Sequence, residues 1–262
     1  MNLISSEFRK LAYQRSTYGL ILAAVALSVV STAFSPFAIV QLSGEINFPL
    51  SDPNNVDGIY SKALSAYILV VVIGVRFMSG EFSHHTAVST FLTTPKRHRV
   101  LAAKLAVAAV AGAAVNLFAT LVGMGTGWFA LQLYPNVAAP HAHIFWDFAL
   151  SAALTGAVLC VVGVGVGALI RNQNLATTAS LIWLFLVDRI LAVIWVDGGK
   201  YLPSGLVTSL MNLTLSVSDK TTSLTINTSD YLPPLPAALI LVGYAVVFSG
   251  LAWVSTLRRD IE

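Results

Sequence analysis

The sequence predicts an all-α polytopic membrane protein, a single domain over residues 1–262 with six transmembrane helices, and three observations carry that prediction. The chain is 56% hydrophobic and only 10% charged, whereas an average soluble domain carries about 25% charged residues. Its apolar runs are each roughly twenty residues or longer, the length a helix needs to cross about 30 Å of hydrocarbon. Most of them lack the polar stripe of a soluble core helix. Finally, the basic residues gather at the ends of these runs, on alternate loops.

The first segment, residues 1–16, places Ile4, Phe8 and Leu11 at i, i+4 and i+7, while Ser6, Arg9, Lys10 and Tyr13 fall on the other face. This spacing predicts an amphipathic helix lying in the interface, with an ordinary solvated lead as the alternative. The first span is expected over 18–40, with Pro36 near its far end; it is too long for the apolar core of a cleavable signal. The loop that follows carries Glu45, Asp52 and Asp57 against a lone Lys62, and its Pro, Asn and Gly content argues against a spanning element. The second span is expected over 60–79.

Between the second and third spans lies GEFSHHTAVSTFLTTPKRHRVLAAKL, residues 80 to 105. It is too polar for lipid, yet Val88, Phe91 and Leu92 give it an apolar stripe, so it reads as a surface segment that a partner can grip. Pro95 ends whatever helix precedes it. The third run, 100–134, would reach about 50 Å at 1.5 Å per residue, so it must tilt, kink or leave the lipid. The fourth span, 144–170, holds Gly156, Gly163, Gly165 and Gly167. The spacing of the last three resembles a dinucleotide-binding fragment, but no strand precedes it, and close helix packing accounts for the glycines. A fifth span is expected over 175–196. In the region 197–233, Leu206, Leu210 and Leu213 form a helical stripe followed by a polar, irregular stretch, and the sixth span, 237–256, ends at Arg258-Arg259.

Arg9, Lys10, Arg15, Arg76, Lys96, Arg97, Arg99, Lys104, Arg171, Arg258 and Arg259 fall on one side of this arrangement. Only Lys62, Lys200 and Lys220 fall on the other. The positive-inside rule then expects both termini and the 80 to 105 window in the cytoplasm. The net charge of +3 reads as topology, and no nucleic-acid partner is expected.

No catalytic group set is found, and Gly198-Gly199-Lys200 lacks the spacing of a phosphate loop. No metal site is expected: His84-His85 and His141-x-His143 lie at opposite membrane faces, and neither has further ligands at workable spacing. His84 and His85 fit a partner-facing surface, whereas His141 and His143 have no explanation. Asp188 and Arg189 lie deep in the fifth span, where an ionisable residue costs roughly 2.5 to 3.5 kcal/mol. They are read equally as a structural ion pair with another helix or subunit and as part of a transport pathway.

The lead SEFRKLAYQRSTYG, the 80 to 105 window, the turn GVGVGALIRNQNLATTASLIW and the later KYLPSG together resemble the type-2 ABC transporter permeases, in particular bacterial export permeases. The resemblance implies a six-span subunit in the bacterial cell (inner) membrane, working with a second permease copy, in the simplest case as a homodimer, within membrane lipids. Two cytosolic ATPase subunits would hold ATP and Mg, so this chain would bind no cofactor and hydrolyse nothing. It further implies an elbow helix at the N-terminus, carrying Phe8, Arg9, Lys10 and Arg15, and short external helices before the last span. A cytoplasmic coupling helix over 81–94 would seat Glu81, Phe82, His84, His85, Thr86, Val88, Phe91 and Leu92 on the ATPase. The implied activity is export of an amphipathic, lipid-like or drug-like compound, as in multidrug efflux. The residues also leave open an ion-coupled secondary transporter or channel that uses Asp188 and Arg189.

Overall fold

The computed structural model describes residues 3–42, 49–83, 97–170, 172–211, 214–218, 223–227 and 231–258. Its architecture is helical, and among the described residues six helices are long and apolar enough to cross a membrane. These are Arg15–Gln41, Pro53–Ser83, His98–Leu131, Ile144–Leu169, Gln173–Ile194 and Pro234–Val254. The protein is by this character a multi-pass membrane protein.

Helix α1 (Leu3–Tyr13) breaks at Gln14, and α2 (Arg15–Leu42) follows at once. Arg15, expected at the end of the amphipathic segment, therefore starts the first long helix. Pro36 lies within α2 without ending it: the Thr32 carbonyl, which loses its partner at Pro36, accepts a hydrogen bond from Ser35 Oγ at 3.0 Å instead.

The second span starts earlier than expected. Residues read as loop form α3 (Pro53–Ser61), which runs through a tighter turn at Lys62–Ala66 into α4 (Tyr67–Ser83). The local signal is a helix start: Asp52 accepts from the Asn54 N–H, and Pro53 occupies the first turn, where its missing N–H costs nothing. Glu81 and Phe82, expected to open a separate coupling helix, belong to the last turn of α4. His84, His85, Thr86, Val88, Phe91 and Leu92 lie outside the described residues.

Helices α5 (Arg97–Leu131) and α6 (Ile144–Leu169) form the third and fourth spans. The fifth is composite. It begins as α7 (Gln173–Ile182), capped by the Asn172 side chain, which accepts from the Asn174 and Leu175 N–H groups. A π-helical turn, Trp183–Val187, then leads to α8 (Asp188–Ile194). Short helices α9 (Val196–Gly199) and α10 (Pro203–Met211) follow, and α10 buries Leu206 and Leu210 of the expected stripe, whose third member, Leu213, lies outside the described residues.

The stretch expected to be irregular contains an antiparallel hairpin. Strand β1 (Thr214–Ser218) pairs with β2 (Ser223–Asn227), Thr214 opposite Asn227 and Ser218 opposite Ser223. Both strands alternate polar and apolar residues with period two, a strand signal overlooked among the Ser and Thr. Helix α11 (Pro234–Arg258) closes the chain.

The core sits on α4, whose run YILVVVIGV is apolar all round and so demands burial on every side. In the second span 89% of the apolar window is buried, against 17% in the fifth and sixth, which leaves those two at the periphery. Helix α6 packs between α4, α5 and α11. Its glycines permit the approach: a side chain at Gly156 would strike the Gly112 carbonyl of α5, and one at Gly163 the Val71 carbonyl of α4.

Candidate functional site

At the end of the bundle where α1, α4 and α5 meet, four charged side chains close an ionic clasp. Glu7 lies one turn before Leu11 on α1, and these two are the buried residues of that helix. Lys10 Nζ lies 2.6 Å from Glu7 Oε1 and 3.0 Å from Glu81 Oε1. Lys104 Nζ, from the second turn of α5, lies 2.7 Å from Glu7 Oε2 and 3.1 Å from Glu81 Oε1. Each ammonium thus bridges both carboxylates, and the charges balance. The Lys104 ammonium also sits 3.8 Å from the centroid of the Phe77 ring.

Burial separates the members energetically. The side chains of Glu7 and Lys104 are each 1% exposed, Glu81 11% and Lys10 39%. Burial pushes the Glu7 carboxyl up, but the nearby Lys104 charge and the hydrogen bonds from Lys10 and Lys104 outweigh it and hold it below its ordinary value. Burial likewise pushes the Lys10 ammonium down, but the Glu7 hydrogen bond and the Glu81 charge reverse that and raise it. Glu81 stands in the last turn of α4, where the helix dipole disfavours a carboxylate, so the two ammonium groups are what make that position tenable. Ser83 adds a further tie, its Oγ accepting from the Gln173 N–H at 3.2 Å and so joining the end of α4 to the start of α7.

The clasp joins two groups of residues that the sequence kept apart, Lys10 of the amphipathic segment and Glu81 of the window between the second and third spans. Phe82 is half-buried against the apolar cluster around Leu11, Phe77 and Leu101. Phe8 is 52% exposed, as is Ile4 at 57%, so the face of α1 that turns inward is Glu7 with Leu11 rather than the full Ile4, Phe8, Leu11 stripe. Arg9 and Arg15 are exposed, without an ion pair among the described residues. Sequence reasoning missed Glu7 and treated Lys104 only as a topology marker. The available signal was a lysine four residues inside an otherwise apolar run, which needs a carboxylate to be buried.

Asp188 and Arg189, adjacent on α8, point to different surroundings. Arg189 Nη2 donates to Tyr67 Oη of α4 at 3.3 Å, and its side chain is exposed. Asp188 is 0% exposed; its Oδ1 accepts the Ser204 N–H at 3.5 Å, and its Oδ2 has no hydrogen-bond partner. Neither residue joins an ion pair among the described residues.

Toward the opposite end of the bundle from the clasp, His141 Nδ1 lies 2.6 Å from Asp57 Oδ2, and the His141 N–H donates to Asp57 Oδ1 at 3.2 Å. This pair pins the segment after α5 onto α3. His143 lies 4.0 Å from Asp147 on the exposed surface. Among the described residues no group of three or more His, Cys, Asp or Glu side chains is placed to hold a metal ion. Comparison of the sequence with protein-family models and with curated proteins found no match.

Proposed function

We propose that this chain is the membrane-spanning subunit of an ATP-driven exporter of the type-2 ABC permease kind, moving an amphipathic, lipid-like or drug-like compound outward and drawing its energy from separate cytosolic ATPase subunits. The observation that carries this reading is the clasp. In such a machine, force enters through residues 81–94 and has to reach the spans. Glu81, at the root of that segment, is tied at once to α1 through Lys10 and to α5 through Lys104. An interfacial elbow helix, a coupling segment and the third span would then move as one body, biased between two arrangements by nucleotide binding on the partner. The exposed apolar residues of α1, Ile4 and Phe8, suit a helix lying in the lipid interface of a bacterial inner membrane, with both termini cytoplasmic. The largely exposed fifth span supplies a face for a second copy, which makes a homodimer the simplest assembly.

The experiment is co-purification of the chain with an ATPase, followed by the double substitution Phe91→Asp and Leu92→Asp. Transport is expected to vanish while membrane insertion persists. Unchanged transport in the double variant overturns the coupling assignment.

One observation favours a second reading, an ion-coupled carrier or channel: the fully buried Asp188 has a carboxylate oxygen without a partner, as a proton- or cation-carrying group would. That reading expects activity in proteoliposomes holding no ATPase, abolished by Asp188→Asn. The exporter reading expects no such activity.

A further inference from the structure

We propose that two adjoining recesses between α2, the Lys62 turn and the α8 to α10 region form one binding site for an amphiphile with an anionic head. The larger, about 330 Å³, is lined by Lys62, Tyr67 and Arg189 among polar side chains, with Ile39, Val207 and Met211 on its apolar side. The smaller, about 220 Å³, is lined by Arg189, Lys200 and Tyr231. Arg189, Ser204 and Thr208 line both, so the two spaces adjoin along one wall.

The charge pattern is what points to a ligand. Basic residues are scarce at this end of the bundle: apart from Arg189, the sequence places only Lys62, Lys200 and Lys220 there. Lys62, Lys200 and Arg189 nevertheless converge on one continuous space from three separate elements. Among the described residues no carboxylate lines either recess. None of the three cations joins an ion pair among the described residues. Asp57 is engaged by His141, and Asp188, buried behind Ser204, does not line either recess. Arg189 spends one N–H on Tyr67 Oη, which fixes the guanidinium and leaves donors free in a planar fork suited to phosphate, sulfate or carboxylate. An isolated cation at membrane depth is expensive, and convergent cations more so, unless an anion offsets them. The Ser204 hydroxyl adds a donor, the Thr208 hydroxyl being committed to the Ser204 carbonyl at 2.9 Å, and the Ile39, Val207 and Met211 wall accepts an alkyl chain. Lys62 and Arg189 are themselves exposed, so the site is open to a ligand arriving from outside the bundle.

As a place where exported material is held, the site rests on the exporter reading; as a binding site it does not, and the test separates the two. The purified chain in nonionic detergent is titrated calorimetrically with dodecyl phosphate, dodecylphosphocholine and inorganic phosphate. Dodecyl phosphate is expected to bind at least tenfold tighter than either of the others. Lys62→Gln combined with Arg189→Gln is expected to weaken it at least tenfold, while Lys62→Arg and the remote Arg99→Gln leave it unchanged. If the double variant does not fold, Lys200→Gln is expected to weaken binding severalfold on its own. Equal affinity for dodecyl phosphate and dodecylphosphocholine, equal affinity for inorganic phosphate, or a loss in Arg99→Gln as large as in the site variants overturns the proposal. Charge-dependent binding that fails to stimulate a co-purified ATPase leaves the site standing and counts against the exporter reading alone.

Discussion

Removing one member of the clasp tests whether it holds the bundle together. In Lys104→Met the buried Glu7 keeps a single ammonium, Lys10, which is itself 39% exposed. Because Glu7 and Lys104 are each 1% exposed, solvent does little to screen the loss. Breaking a buried pair from one side costs about 3–5 kcal/mol, most of it the price of an uncompensated charge. Lys10→Met removes a partly solvated cation and is expected to cost only about 0.5–1 kcal/mol. In the combined variant Glu7→Gln with Lys104→Met no buried charge is left unpaired, since Lys10 and Glu81 still face each other at 3.0 Å. Most of the single-variant loss should return, giving a coupling free energy of about 2–3 kcal/mol. The assay is equilibrium unfolding in mixed detergent micelles, read by tryptophan fluorescence on all four members of the Glu7 and Lys104 cycle. A coupling below about 0.5 kcal/mol, or a Lys10→Met cost equal to that of Lys104→Met, refutes the assignment of a buried, mutually dependent pair.

Titration of the clasp and substitution of interior glycines probe the same packing. The Glu7 carboxyl is held below 4.5, so its stabilisation is complete above that pH and is lost as pH falls through the lowered folded value. The Lys10 ammonium is raised above 10.5, so its share is complete below that pH and is lost as pH rises through the raised folded value. The stability difference between the wild type and Glu7→Gln is therefore expected to be level between these limits; a fall centred above pH 4.5 on the acid side contradicts it. In the packed interior, Gly163→Ala drives a methyl into the Val71 carbonyl and is expected to cost about 1–3 kcal/mol. Gly125→Ala, with nothing within 4 Å of the added carbon, is expected to gain about 0.5–1 kcal/mol from helix propensity, and thermal midpoints that shift in the same direction for both variants contradict the packing account.

What the sequence legibly carried was set by local composition. Twenty consecutive apolar residues need no partner to specify a crossing helix, so all six were visible, and their ends were off by a few residues wherever a cap decided the matter. At Asp52-Pro53 the turn-like composition hid a helix start, and in the stretch from Thr214 to Asn227 Ser and Thr masked a period-two alternation. The Leu206 and Leu210 stripe was readable because both residues lie on one helix, four apart.

The clasp was not readable, because its members are local to nothing. Glu7 and Lys104 are separated by 97 positions and Lys10 and Glu81 by 71, and only the packing of α1 beside α5 and the end of α4 brings them within hydrogen-bond distance. The same holds for Asp188 and Arg189: their place in the fifth span follows from the apolar run around them, but which of them is buried is fixed by the rotation of α8 against α4 and α10. By itself, the sequence determined that six runs are long and apolar enough to cross a membrane, since transfer into lipid is a sum over neighbouring residues, though not that the second of them begins at Pro53. The tertiary structure alone decided which charges meet, because an ion pair depends on angstrom distances between helix faces that no one-dimensional pattern encodes.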